Sequence, residues 1–125
     1  MSEEIKTAAI IGGGVIGAGW AARLVLNGID VRVYDPSAEA EQNLAEVLSN
    51  AKHAYSKLTM APLLNLGKMY FVDTIEDAVK GMMFIQESVP ENPDLKGIVL
   101  EEILFFATMM LLTPRVNLAF YMIYL

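Results

Sequence analysis

The 125 residues of this chain suit one compact domain, and 54% of them are hydrophobic, which is enough to form a core. A net charge of −6 gives no electrostatic basis for binding nucleic acid, and the absence of cysteine excludes a disulfide framework or a thiolate metal site. Met1 to Lys6 have no basic-then-apolar leader, so we expect a cytoplasmic protein. We also expect it to bind no metal, no nucleic acid and no membrane.

The first predicted elements are a strand, a glycine turn and a helix. Ala8 to Ile11 form an apolar strand that leads directly into GGGVIG, which contains the pattern G-x-G-x-x-G. Apolar residues at helical spacing from Val15 to Leu26 predict a helix, and Asn27-Gly28 ends it. Strand, turn and helix in this order are typical of a site for a dinucleotide, although a plain tight turn between a strand and a helix is the alternative.

Each glycine of the turn has its own physical role in that prediction. Gly12 permits the tight turn, Gly14 lets the backbone approach a pyrophosphate, and Gly17 lets the helix lie close to the sheet. The free N–H groups and the dipole at the helix start then favour the phosphates. The predicted cofactor contacts of this turn are Gly12, Gly13, Gly14, Val15, Ile16 and Gly17.

Asp35 bears on the choice of cofactor. A second strand, Ile29 to Tyr34, ends at this residue, where a carboxylate can accept hydrogen bonds from both ribose hydroxyls and would repel a 2′-phosphate. None of the next three residues, numbers 36–38, is basic, whereas a site for NADP usually has an arginine nearby. The sequence therefore favours NAD; the alternative is a plain turn aspartate before Pro36.

Helices and strands alternate in the rest of the chain. The predicted elements are a helix capped by Ser37 with Leu44, Val47, Leu48, Ala51 and Leu58 on one face, a loop from Thr59 to Lys68, a strand from Met69 to Val72, a short helix capped by Thr74 that ends at Gly81, a strand from Met82 to Ile85 and a helix from Pro93. This alternation predicts an α/β fold, a doubly wound Rossmann-type sheet that is mainly parallel and has helices on both faces. The strand ends would then bring the glycine turn, Asp35 and Glu87 to Glu91 to one crevice.

The C-terminal region has two apolar runs. Ile103 to Leu112 and Val116 to Leu125 are each about half of the ~20 residues that a membrane-spanning helix needs. We interpret the first as the end of a buried helix and the second as a last strand; a segment that contacts a partner or a membrane is the alternative. The chain then divides into a cofactor domain, 1–112, and an apolar strand or tail, 113–125, packed on that domain.

The motifs now in hand resemble the NAD-binding domain of the 3-hydroxyacyl-CoA dehydrogenase family. The resemblance covers about Lys6 to Glu102 and rests on IGGGVIGAGWAARLVLNGIDVRVYDP and FIQESVPEN. It implies an oxidoreductase that oxidises a 3-hydroxyl to a ketone and passes hydride to NAD. By position, it also implies that Glu91 and Lys96 lie near the nicotinamide ribose. Without the family, these two would be an acid at a helix start and an exposed lysine.

The chain also departs from the family pattern. Met82-Met83 stand where the family usually has an acid, and the family's catalytic histidine, its orienting acid and its helical second domain are not found. The only histidine, His53, has no acid–base partner at a helical offset and is interpreted as a surface or boundary position. We therefore name no catalytic residue. We expect no turnover by this chain alone, and self-association through its apolar end. The alternative function is a stand-alone or designed nucleotide-binding module without enzymatic activity.

Overall fold

A computed structural model describes residues 4–58, 65–89, 92–111 and 121–124, the last segment and 107–111 by backbone alone. The elements are β1 (Thr7–Ile11), α1 (Val15–Leu26), β2 (Asp30–Tyr34), α2 (Ala40–Leu58), β3 (Met69–Phe71), α3 (Ile75–Val79), β4 (Phe84–Glu87), α4 (Pro93–Leu111) and β5 (Tyr121–Tyr124).

The described strands form one sheet in the order β3-β2-β1-β4-β5, and every neighbouring pair is parallel. The chain runs outward from β1 through β2 to β3, then crosses back to place β4 on the other side of β1. The strand order therefore reverses between β1 and β4, which is where such sheets form a crevice at their carboxyl ends. This arrangement confirms the predicted α/β fold.

The two faces of the sheet bury separate hydrophobic cores. Ala8 and Ile10 of β1 face the core formed with α1 and α2, whereas Ala9 and Ile11 face the core formed with α3 and α4. All four side chains are fully buried. Successive residues of a strand point to opposite faces, so a run of apolar residues without alternation is what a strand covered on both sides requires.

The fourth strand begins later than predicted. Gly81 has a φ of 75°, and the N–H of Met82 donates to the carbonyl oxygen of Val79 at 3.1 Å, so Met82 completes the turn out of α3. The strand runs over Phe84–Glu87 instead of Met82 to Ile85. The prediction was wrong by two residues, and the consequence is that Gln86 and Glu87 belong to the buried strand rather than to the loop after it.

Several other predictions are corrected in detail. Leu58, the last residue of α2, is 83% exposed, so the predicted apolar face of this helix does not extend to its end. Leu104 and Phe105 are exposed beside the fully buried Ile103, so α4 is buried along one stripe instead of all round. Residues 116–120 of the predicted last strand lie outside the described residues. Most of the predicted loop, residues 59–64, also lies outside them.

Across the described residues, no helix combines the length and apolarity that crossing a membrane requires.

Candidate functional site

The glycine turn after β1 depends on glycine at its first position. Gly12 has a φ of 99°, and its N–H donates to the carbonyl oxygen of Tyr34 at 2.9 Å. A Cβ at this position would lie 2.7 Å from the carbonyl oxygen of Ser88. Both the left-handed backbone and the close approach of the segment after β4 therefore require a residue without a side chain.

The start of α1 is open where an anion would bind. Gly14 is the N-cap residue in an extended conformation, and a Cβ there would meet nothing within 4 Å. In the described part of the chain, no side chain caps this helix, and its first turn holds no acidic residue. Its first N–H groups thus lack an intrahelical partner, which favours a phosphate at this position.

Gly17 serves the turn itself. A Cβ at Gly17 would overlap the carbonyl oxygen of Gly12 and lie 3.3 Å from Cγ2 of Ile10. The predicted role was close packing of the helix on the sheet; the tightest contact is instead between the helix and the turn, and the sheet residue comes second. Both Gly13 and Gly17 are buried, so a ligand at this turn would contact the residues next to them.

Asp35 lies directly beside the turn. The N–H of Gly13 donates to its Oδ2 at 2.6 Å, and the N–H of Ser37 donates to its Oδ1 at 2.7 Å. An ionised carboxylate has about four acceptor positions, so each oxygen can still accept a further hydrogen bond. The geometry is therefore compatible with ribose hydroxyls at the end of β2.

A cavity of about 790 Å³ opens at the carboxyl ends of the strands. Its described lining residues are Ile11, Gly12, Gly14, Val15, Ile16, Tyr34, Asp35, Pro36, Ser37, Ile75, Ser88, Val89, Leu95, Ile98, Val99 and Glu102. The volume falls in the usual range for small-molecule and cofactor sites. Val15 is 92% exposed at its mouth. Of the residues predicted to converge on one crevice, Gly12, Gly14, Val15, Ile16, Asp35, Ser88 and Val89 line the cavity. Gly13, Gly17 and Glu87 are buried and do not belong to its described lining.

The cavity has a polar side and an apolar side. The polar side is the glycine turn with Asp35, and the apolar side is formed by Ile75 of α3 and one face of α4, including Leu95 and Val99. Asp35 and Glu102 are the charged residues among the described lining, and both are acidic. An anionic group in this cavity would therefore depend on backbone N–H groups and the dipole of α1 instead of on a cationic side chain.

Lys96 forms a buried ion pair that the sequence did not indicate. Its Nζ lies 3.6 Å from Oε2 of Glu87, and both side chains are almost completely buried. Oε1 of Glu87 accepts a hydrogen bond from the N–H of Val89 at 2.7 Å. The interpretation of Lys96 as an exposed lysine is wrong. Lys96 is not among the described cavity-lining residues, whereas Glu91, the other predicted residue of this pair, lies outside the described residues.

The ion pair connects the end of β4 with the first turn of α4. Glu87 is directly followed by Ser88 and Val89, which line the cavity. On the opposite face of β4, Gln86 is fully buried and donates from Nε2 to the carbonyl oxygen of Glu87 at 3.1 Å. Oε1 of Gln86 has no hydrogen-bond partner among the described residues. Gln86 and Glu87 could have been noticed in the sequence as two polar residues at the end of an apolar run. They were missed because the predicted strand ended at Ile85.

The reversal of strand order beside a glycine turn is the architecture of the dinucleotide-binding Rossmann domains. Within that class, residues 7–112 match the family described as "3-hydroxyacyl-CoA dehydrogenase, NAD binding domain". The chain belongs to this family and is an NAD-binding domain, as the sequence resemblance predicted.

Its relatives include L-carnitine dehydrogenases. The L-carnitine dehydrogenase/betainyl-CoA thioesterase of Rhizobium meliloti is 56% identical over 99 residues, which are 79% of this chain and 20% of that protein. The L-carnitine dehydrogenase of Pseudomonas putida is 48% identical over 93 residues, which are 74% of this chain and 29% of that protein. The matched region thus spans less than a third of either relative.

Solved structures give the same result for the fold. A 5-dehydrogenase of a pyridine carboxylic acid, described as an NAD⁺-dependent dismutase, is 38% identical with a TM-score of 0.68, over 80% of this chain and 33% of that one. The (S)-3-hydroxybutyryl-CoA dehydrogenase of Ralstonia eutropha is 27% identical with a TM-score of 0.65, over 80% of this chain and 36% of that one. A diketoreductase with a TM-score of 0.73 is 23% identical and supports the fold alone.

Proposed function

We propose that the chain binds NAD in the cavity at the strand ends, with the pyrophosphate on the glycine turn and the adenosine ribose at Asp35. The observation that carries this proposal is the space at Gly14. A Cβ there would meet nothing within 4 Å, while the adjacent helix start has no side-chain cap among the described residues. Open space beside unpaired N–H groups at a cavity-lining helix start is what a bound phosphate requires.

Asp35 makes NAD the preferred cofactor over NADP. Its Oδ2 accepts from the N–H of Gly13 and its Oδ1 from the N–H of Ser37, and both oxygens retain acceptor positions for the ribose hydroxyls. A 2′-phosphate at the same place would meet this carboxylate, and Glu102 adds a second negative charge to the lining. The described lining offers no lysine or arginine to compensate for that repulsion.

The nicotinamide end of the cofactor is proposed to lie toward the segment after β4. Glu91 is assigned there by the family resemblance. For Lys96 the ion pair with Glu87 supports an indirect role, because Glu87 directly precedes Ser88 and Val89 of the cavity lining. Lys96 would then act on the nicotinamide ribose mainly by positioning this segment.

In the whole protein, we propose that this domain accepts hydride from the 3-hydroxyl carbon of L-carnitine or a related 3-hydroxy acid. The support is the 56% identity with the Rhizobium meliloti relative, whose name gives that activity. The oxidation also needs a general base within hydrogen-bond reach of the hydroxyl. His53 lies on the exposed end of α2 and outside the described cavity lining, so we assign it no catalytic role.

We further propose a cytoplasmic, self-associating protein in which residues 1–112 are the cofactor domain and 113–125 pack on it. Self-association is supported by the exposed side chains of Leu104 and Phe105 and by β5, which lies at one edge of the described sheet. Exposed apolar side chains and an unpaired strand edge both favour contact between copies.

Calorimetric titration of the chain with NAD, together with the variant Gly14→Val, tests the site. We expect the parent chain to bind NAD and the variant to lose binding while it keeps its circular dichroism spectrum. A folded variant that binds NAD as well as the parent would place the cofactor elsewhere. A folded parent that gives no heat with NAD at two well-separated temperatures would exclude the binding function for this chain.

A further inference from the structure

The carboxylate of Asp35 is engaged by the protein's own backbone. The N–H of Gly13 donates to Oδ2 of Asp35 at 2.6 Å, and hydrogen bonds to an ionised carboxylate are stronger than those between neutral groups. The N–H of Ser37 donates to the other oxygen at 2.7 Å, which fixes the orientation of the carboxylate. Asp35 thus holds the middle residue of the glycine turn.

Two residues at the end of β2 accept hydrogen bonds from two successive amides of this turn. The N–H of Gly12 donates to the carbonyl oxygen of Tyr34, and the N–H of Gly13 donates to the side chain of Asp35. Gly12 and Gly14 on either side of Gly13 are residues with unusual conformational freedom. A fixed hydrogen bond at Gly13 therefore restricts a segment that is otherwise costly to order.

We propose that Asp35 is a positioning residue for the phosphate cradle as well as the acceptor for the adenosine ribose. Its carboxylate sets the conformation of the glycine turn before a dinucleotide enters. Phosphate binding then depends on Asp35 even when the ligand has no ribose hydroxyl for it to recognise. The choice of ligand rests on the proposed function, whereas the hydrogen bond to Gly13 is a property of the chain alone.

Calorimetry separates the two roles with two ligands. The first is NAD, and the second is the NAD analogue whose adenosine ribose lacks the 2′- and 3′-hydroxyls. The variant is Asp35→Ala. The matched control is Asp30→Ala, because Asp30 begins the same strand and also accepts a backbone hydrogen bond, from the N–H of Lys68 at 2.9 Å.

We expect Asp35→Ala to bind the dideoxy analogue at least about fivefold more weakly than the parent does, as the loss of one ordering hydrogen bond implies. Asp30→Ala should match the parent with both ligands. If Asp35 only recognises hydroxyls, the parent and Asp35→Ala will bind the analogue equally well, and the proposal is overturned.

A nuclear magnetic resonance measurement on the ligand-free chain makes the outcome independent of cofactor binding. The amide proton of Gly13 should resonate downfield and exchange slowly in the parent and in Asp30→Ala. Asp35→Asn should move it upfield, because a neutral acceptor is weaker than a carboxylate, and Asp35→Ala should move it further. This series also applies if Asp35→Ala fails to fold. An unchanged Gly13 resonance in Asp35→Asn would overturn the proposal. If the variants show the expected shifts but the parent fails to bind NAD, only the proposed function is contradicted.

Discussion

Replacing Gly14 with valine should separate binding from folding. The backbone at Gly14 is extended, with φ −71° and ψ −163°, a conformation that branched residues adopt readily. The new side chain meets no protein atom within 4 Å at its Cβ, so it projects into the cavity and occupies the space proposed for the pyrophosphate. The variant should therefore fold and lose NAD.

The size of the effect follows from the hydrogen bonds that are lost. If the phosphate moves away from two N–H groups of the turn, and each charged hydrogen bond contributes about 1.5–3 kcal/mol, the loss is about 3–6 kcal/mol, or at least about a hundredfold in Kd. Stability should change little. An apolar side chain at an N-cap in place of glycine costs about 1 kcal/mol or less, which corresponds to a fall in Tm of at most about 4–8 °C.

Gly17→Ala is the matched control, because it adds a smaller side chain at the third glycine of the same motif. Its Cβ would overlap the carbonyl oxygen of Gly12, so the helix or the turn must move. We expect overpacking to cost about 3 kcal/mol, with a fall in Tm of about 12 °C or more. Thermal circular dichroism and NAD calorimetry are measured on both variants. The reasoning is refuted if Gly14→Val melts as early as Gly17→Ala.

Three further results are expected. Asp35→Ala should weaken NAD binding by about 1–3 kcal/mol in calorimetry, because it removes a charged acceptor; unchanged affinity would show that the ribose lies elsewhere. Lys96→Met should lower the free energy of unfolding by about 3–5 kcal/mol in urea titrations, because it leaves Glu87 buried without its cation, and a second change, Glu87→Gln, should restore much of the loss; a single variant as stable as the parent would contradict the ion pair. Light scattering should show a mass that rises with concentration and falls in Phe105→Glu, whereas a concentration-independent monomer mass would contradict self-association.

The elements around the glycine turn could be predicted because local chemistry determines them. The helix from Val15 to Leu26 has the predicted bounds, since glycines precede it and Asn27-Gly28 ends it. The bounds of β4 could not be read in the same way. Met82 and Met83 look like the start of an apolar strand, but main-chain hydrogen bonds to Val79 and Thr7 hold them in the turn before it.

The polar half of the candidate site was predictable, and its apolar half was not. Gly12, Gly14 and Asp35 line the cavity because each follows directly from a strand end. The wall from Leu95 to Glu102 depends on how α4 packs across the sheet, which no local pattern specifies. The Glu87–Lys96 pair also joins two elements through space. A family resemblance could single out Lys96, but no local pattern could identify its partner.

The most direct test of the account is a parallel calorimetric titration of the unmodified chain with NAD and with NADP. Asp35 supplies negative charge at the proposed adenosine end, and the described lining holds no basic side chain. We expect NAD to bind at one site and NADP to bind more than about tenfold more weakly, since a 2′-phosphate would lose at least about 1.4 kcal/mol against the carboxylate. Equal affinities for the two dinucleotides, or tighter binding of NADP, would contradict the account.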